Sequence, residues 1–368
     1  MLQVAGIEII EEGQGAETIV MLHGWPDTHH LWDKQVDALK PHFKCVRFTL
    51  PGFVDSLDAR AHSLDEITAL IEEVVRKVSP GKPVILLAHD WGAIFSYHFV
   101  QAHPDLVSKV IGVDIGDIAS PDYVASLSAK QKMGIAGYQL WLAAAWLMGP
   151  GIGDDMARFM ARKLRAPAGH DDIGHWQCYP YFIRWSGAHG SFKALRPFMP
   201  DVPMLYIYGR RKPFMFHSEQ WLRQLNEMPD CKTLGLEAGH WMMDTVPDAF
   251  NEVMLQWLGV AVQPVSSVAP VSSQAPVPAA APQASLPVQN PASIDAADST
   301  SRESQTDSDA PEIPAALAQA LEASPAAKKV WDELPARKKQ TLSRPVAQAK
   351  MPATIEKRVQ NVIATLTE

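Results

Sequence analysis

Asp90 sits in Ala88-His89-Asp90-Trp91-Gly92-Ala93, between an apolar run, Pro83–Leu87, and an amphipathic stretch, Ile94–His103. A buried strand, a small residue, one exposed side chain, small residues again and then a helix describe a nucleophile elbow. The small residues are needed because the turn is tight and the helix packs close against the strand. The apical side chain is pushed out at the helix N-terminus, where the peptide dipoles favour an anion. A carboxylate there can displace a leaving group at saturated carbon and become an alkyl ester. Hydrolysing that ester requires an activated water. An imidazole suits that task because its unperturbed pKa lies near neutrality, and His240, just beyond the strand-like Lys232–Leu236, is one candidate. The competing reading of Asp90 is an ordinary helix N-cap, and most of the 13 histidines belong to the surface or the core.

Residues 150 positions apart in the chain meet only if a scaffold brings them together, and the hydrophobic pattern describes one. Weak alternation over 6–11 reads as an edge strand, and Thr18–Leu22 as a buried strand running into His23-Gly24-Trp25-Pro26. Leu31–Leu39 has helical period and stops at Pro41; Lys44–Leu50 is the next strand. Ser63-Leu64-Asp65-Glu66 is a capping box that opens a helix to Val78. After the elbow, Lys109–Asp114 is another strand. The alternation then stops: residues 119–200 read as helical, rich in Trp, Met and Tyr, without a strand. It resumes with a strand at Pro203–Gly209, a helix at Ser218–Met228, the strand Lys232–Leu236 and a last helix, Pro247–Leu258. Strands alternating with helices imply a mostly parallel sheet covered on both faces. In such a sheet the site lies at the carboxyl ends of the strands, and a helical insertion there would act as a lid.

Composition narrows the partners. The 368 residues are 47% hydrophobic and carry a net charge of −8. No basic stripe interrupts residues 1–260, which argues against nucleic acid. Cys45, Cys178 and Cys231 are isolated, as in a reducing compartment without a disulfide framework. The N-terminus shows no basic segment followed by an apolar one, and Leu140–Met148 is shorter than the ~20 residues that span a bilayer. The expectation is a cytoplasmic protein without a membrane partner. From 262 to 311 the chain is almost wholly Pro, Ala, Ser, Val, Gln and Asp, too polar and simple to bury a core, so a disordered linker is expected. It separates residues 1–261 from a module at 312–368.

These residues resemble the α/β-hydrolase fold, and within it the epoxide hydrolase and haloalkane dehalogenase branch, over about residues 4–260. The resemblance rests on the Asp-centred His89-Asp90-Trp91-Gly92, on His23-Gly24-x-Pro26 and on Gly239-His240. It implies a helical cap, 119–200, inserted after the sixth strand, with Asp90 as nucleophile and His240 as base. It also implies an oxyanion hole built from the backbone N–H groups of Trp25 and Trp91, and a loop at Pro26 shaped by a cis bond. Many relatives carry the supporting acid in Gly-x-x-Asp after the seventh strand. Here that segment is Gly209-Arg210-Arg211-Lys212, so the acid is assigned to Asp114, at the end of the sixth strand, with Asp117 in reserve. The three basic residues read as a solvated loop, and Pro213–His217 as apolar enough to line a pocket.

Epoxide hydrolases in this branch use two cap tyrosines that donate hydrogen bonds to the epoxide oxygen. Tyr138-Gln139-Leu140, followed by Trp141, resembles the first tyrosine motif, and Tyr181 stands at the second position with Tyr179 as its alternative. A phenol suits the role because it donates while neutral. The competing reading makes both tyrosines plain lining of an apolar lid.

Residues 313–368 resemble the bacteriocin-protection (YdeI/OmpD-associated) family. The matching residues are Ala315-Ala316-Leu317, Pro325-Ala326-Ala327, Leu334-Pro335, Ala349–Pro352 and Thr354–Arg358. Pro345 interrupts what is a continuous helix in relatives. The cluster Lys328, Lys329, Arg337, Lys338 and Lys339 reads as a solvated face, or as the place where an acidic protein partner would touch.

The combined expectation is an Asp-nucleophile hydrolase that converts an epoxide on a small apolar molecule to a vicinal diol without metal or organic cofactor. A haloalkane dehalogenase is the alternative in the same fold. A catalytically weak binding module, its helical tail recruiting a partner, is the alternative from another class. The missing carboxylate at Lys212 motivates it.

Overall fold

Thr18–Leu22 and Val84–His89 are buried at every position, which places them in the middle of a sheet covered on both faces. In the computed structural model, which describes residues 2–54, 60–261, 313–334, 339, 342–343, 346–347 and 352–367, they are β3 and β5. The other strands are β1 (Leu2–Val4), β2 (Ile7–Glu12), β4 (Lys44–Arg47), β6 (Val107–Val113), β7 (Met204–Gly209) and β8 (Lys232–Leu236). They form one eight-stranded sheet in the order β1-β2-β4-β3-β5-β6-β7-β8. Pairs from β4 to β8 are parallel; β1–β2 and β2–β4 are antiparallel. The strand at Leu2–Val4 has no counterpart in the sequence pattern. It pairs back on β2 through Ala5 and Gly6, both at positive φ, a two-residue hairpin of the kind strand twist favours.

Alternation along the strands divides the core in two. Val20, Leu22, Leu86 and Ala88 face α2 (Leu64–Val78), α3 (Trp91–Ala102) and α8 (Glu219–Glu227). Ile19, Met21, Ile85 and Leu87 face α1 (Asp33–Leu39) and α10 (Pro247–Trp257). The capping box at α2 is formed: Glu66 N–H donates to Ser63 Oγ at 3.1 Å and Ser63 N–H to Glu66 Oε2 at 2.8 Å. Between β6 and β7 the chain forms α4 (Pro121–Ser126), α5 (Ala129–Met148), α6 (Ile152–Leu164) and α7 (Tyr179–Ser186). A four-residue α9, Met242–Thr245, follows β8.

Contacts divide the chain into Met1–Pro270 and Val271–Glu368. The segment read as a linker, 262–311, lies outside the described residues, as do Pro345, Arg337 and Lys338 of the C-terminal portion. That second unit contains helices Ala315–Ala323, Pro325–Glu333 and Pro352–Thr367. Leu317, Leu321, Ala327, Trp331, Val359, Val362 and Leu366 form its own buried cluster. Among the described residues no helix is long and apolar enough to cross a membrane.

Candidate active site

The parallel register brings the carboxyl ends of β3, β5, β6, β7 and β8 to one edge, and each end delivers part of the site. At the end of β5, Asp90 adopts φ 52° and ψ −125°, a strained conformation for a residue with a side chain. The elbow tolerates it because its neighbours are small. A Cβ on Gly92 would come within 2.4 Å of the His23 carbonyl oxygen, and one on Gly24 within 2.4 Å of Asp90 Oδ1. With Gly24 in place, the Trp25 backbone N–H donates to Asp90 Oδ1 at 2.8 Å, and the Trp91 N–H also faces the carboxylate. The Trp25–Pro26 peptide is cis.

His240 follows β8 and presents Nε2 to Asp90 Oδ2 at 3.6 Å. Its Nδ1 is hydrogen-bonded to Asp114 Oδ2. Asp114, at the end of β6, is fully buried and held at φ 65°. Its Oδ1 accepts from the Gly209 N–H at 3.0 Å and from the Lys212 ammonium. A buried carboxylate is tolerable only when donors satisfy it, and Asp114 has three: an imidazole, an amide and an ammonium.

Charge sets the protonation states. Burial disfavours the Asp90 anion, but the hydrogen bond and charge of His240 outweigh it and hold the carboxyl below its ordinary value. Burial likewise opposes ionisation of Asp114, and Lys212 and His240 together reverse the sign. For His240, burial lowers the pKa; Asp114 first and Asp90 second overcome it and raise it from 6.5 to about 9. Beneath His240 lies His89, with ring centroids 4.3 Å apart. Burial, and then the neighbouring His240, lower its pKa to about 3, so it is a neutral packing partner.

Asp90 and His240 open into a cavity of about 900 Å³ that Tyr138 of α5 and Tyr181 of α7 also line. The two phenol rings meet edge to face at 6.1 Å, and Tyr181 packs against Trp91 and Trp25 at 5.3 and 6.0 Å. Burial raises both phenol pKa values, with the Asp90 charge adding to the effect, so both are neutral donors. Gln139 Nε2 donates to the Tyr138 hydroxyl at 3.3 Å. Met133, Trp141, Phe159, Pro213, Phe214 and Phe216 supply apolar wall. Among the described residues no group of three or more His, Cys, Asp or Glu side chains is arranged to hold a metal ion.

Known proteins share this architecture. An α/β-hydrolase fold family model matches residues 17–145. A pimeloyl-[acyl-carrier protein] methyl ester esterase of Vibrio vulnificus is 32% identical over 213 residues, 54% of this chain and 77% of the esterase. The chain belongs to the α/β-hydrolase fold family. Epoxide hydrolase 1 of Caenorhabditis elegans is 26% identical over 286 residues, 70% of this chain and 69% of that protein. The crystal structure of a mutant epoxide hydrolase from Bacillus megaterium superposes with a TM-score of 0.53 at 22% identity, covering 69% of this chain and 96% of that one. Mycobacterial proteins named probable oxidoreductase EphD are 36% identical over 103 residues, so this chain spans only 17% of their length. A bacteriocin-protection, YdeI or OmpD-associated family model matches residues 310–368.

Within this α/β-hydrolase, several residues lie elsewhere than the sequence reading put them. Asp117, the reserve acid, is turned away from His240: its carboxylate accepts from Ser120 Oγ at 2.5 Å, Ser218 N–H at 2.8 Å and Ser218 Oγ at 2.7 Å. It clasps the start of the cap to the N-terminus of α8. Tyr179, the alternative to Tyr181, is fully buried against Phe53, His62 and Trp146 and does not line the cavity. The solvated-loop reading fits Arg211, which is exposed and paired with Glu237 at 3.3 Å. It fails for Lys212, whose side chain is 6% exposed and bound to Asp114. A sequence cannot separate an inward from an outward lysine in Arg-Arg-Lys. The signal that could have done so is the apolar Pro213–Phe216 that follows, which pulls this end of the loop inward.

Proposed function

We propose that this α/β-hydrolase opens epoxides on apolar molecules to vicinal diols through an ester on Asp90. The observation that carries the reading is the pair of neutral phenols, Tyr138 and Tyr181, lining one cavity with Asp90. Asp90 Oδ1 is held by the Trp25 N–H, which leaves Oδ2 as the attacking atom. Oδ2 bonds to an epoxide carbon as the ring C–O bond breaks, and the released oxygen takes up a tyrosine proton. Water deprotonated by His240 Nε2 then adds to the ester carbonyl. The Trp25 and Trp91 N–H groups stabilise the oxyanion that develops on Oδ1. Collapse breaks the bond between the acyl carbon and the product oxygen; the His240 proton goes to the departing diol, and the proton left on the regenerated Asp90 carboxyl passes to the tyrosinate, restoring both groups.

Two features support this reading over its neighbours. Attack of a carboxylate on an ester carbonyl would give a mixed anhydride, so Asp90 suits saturated carbon better than the ester chemistry named for the Vibrio relative. An epoxide oxygen needs neutral O–H donors beside Asp90, and the Tyr138 and Tyr181 phenols line the same cavity. Lys212 takes a positioning role: it shares Asp114 with His240 and tempers the acid's pull on the imidazole.

A single turnover with styrene oxide in ¹⁸O-water tests the proposal. The expected result is unlabelled diol and one heavy oxygen in the peptide that contains Asp90. Label in the diol would mean direct attack by water, and absence of diol would remove the epoxide reading. Halide release from a panel of chloro- and bromoalkanes would favour the dehalogenase instead.

A further inference from the structure

Helix α5 is apolar on nearly every side, yet only part of it is covered. Leu142, Ala143 and Ala145 are buried. Met133, Leu140, Trp141, Leu147 and Met148 are exposed, Met133 and Leu147 to 70%. Their spacing puts them on one face, and Gly134 and Gly137, on the same face, add no polar group. A helix face that meets only water is normally polar. The apolar surface continues onto α6, where Ile152 and Phe159 are exposed. The Trp141 ring lies 5.5 Å from that of Phe159, and its indole N–H donates to the Met156 carbonyl at 3.0 Å.

Cations stand at one end of this surface: Lys130 and Lys132 in the first turn of α5, Arg162 and Lys163 in the last turn of α6. Among the described residues none of the four has a carboxylate within 4.0 Å. Residues 119–200 contain nine Lys and Arg against five Asp, in a chain whose net charge is −8. The cavity also opens here, since Met133, Trp141, Phe159, Lys163, Leu164 and Arg165 line it.

We infer that this face of the cap rests on a lipid bilayer carrying anionic headgroups, and that apolar substrate passes from the bilayer into the cavity. An apolar helix face flanked by basic residues lies in the plane of such an interface, where tryptophan is enriched. Headgroup phosphates complement the four cations. A protein seated on the face would close the mouth, whereas lipid leaves the apolar cavity continuous with an apolar phase. The inference concerns where the protein acts, and it holds whichever bond Asp90 breaks.

Sedimentation of the full chain with vesicles tests it, using phosphatidylcholine alone and phosphatidylcholine mixed with phosphatidylglycerol. Two double variants accompany the wild type: Leu147→Glu with Met148→Glu, neither of which lines the cavity, and Lys130→Glu with Lys132→Glu. The expected result is wild-type binding to the mixed vesicles that each double variant weakens about tenfold or more, with near-UV circular dichroism and melting temperature unchanged. Failure of the wild type to sediment with mixed vesicles overturns the inference, as does undiminished binding of the Leu147/Met148 variant. A wild-type dimer in light scattering that the Leu147/Met148 variant splits would also overturn it, assigning the face to a second copy.

Discussion

Asp114 carries more of the proposed chemistry than its place in the sequence suggests, because two cations share it. With Asp90 ionised, His240 is held protonated by two carboxylates and titrates near 9. Esterification removes the Asp90 charge, so the imidazole pKa falls when a base is required. The variant Asp90→Asn mimics the neutral ester, and NMR titration of His240 in it is expected to give a pKa below the wild-type value of about 9. An unchanged value would mean that Asp90 does not govern the imidazole. Lys212 acts on the same balance from the other oxygen. Lys212→Met leaves Asp114 pulling undivided on His240, so the pH at which turnover rises should move upward, with activity partly recovered in alkaline buffer. Loss of one partner of a buried ion pair should also cost about 3 kcal/mol of stability, readable in urea denaturation. A variant with the wild-type pH profile would leave Lys212 a structural role alone.

Among the elements, a buried clasp at Asp117 helps tie the cap to the sheet domain. Asp117 receives the Ser120 hydroxyl at the N-cap of α4 and the Ser218 amide and hydroxyl at the N-cap of α8. It therefore joins the start of the inserted helices to the sheet domain. Asp117→Ala should lower stability by about 3 kcal/mol, since it strands buried donors, while Asp114→Ala should abolish turnover. Parallel measurement of melting temperature and kcat separates the two aspartates. An Asp117→Ala protein that is stable but inactive would move Asp117 into the reaction. The capping box on α2 and the strained elbow before α3 show the same division. The first fixes a helix end for stability, and the second holds a side chain at an angle that only its small neighbours permit.

For the whole molecule, the cavity decides which substrates are suited. At about 900 Å³, with aromatic and methionine walls, it is far larger than a small aliphatic epoxide. Each additional buried methylene stabilises the bound substrate by about 0.8 kcal/mol, or roughly fourfold in affinity. Specificity measured as kcat/KM should therefore rise steeply from propylene oxide to aryl and long-chain epoxides. A flat or falling series would show that the cavity narrows around the reacting atoms in solution.

The sequence alone determined the parallel sheet, the helical insertion at 119–200 and the Asp-centred elbow, because these depend on local pattern: continuous apolar runs, a capping box, small residues around a tight turn. The family resemblance put Asp114 first and Asp117 in reserve once the Gly209–Lys212 segment lacked a carboxylate. The hairpin at Leu2–Val4 stayed hidden because three residues are too short to show a period. The tertiary structure alone decided the choices that turn on direction. Asp117 and Asp114 are three residues apart, and Tyr179 and Tyr181 two, but only packing shows which of each pair faces Asp90 and His240. Lys212 is the clearest case. In the chain it is the last of three basic residues on a loop, and its burial against Asp114 follows from β6 and β7 lying side by side, a long-range fact that no local pattern encodes.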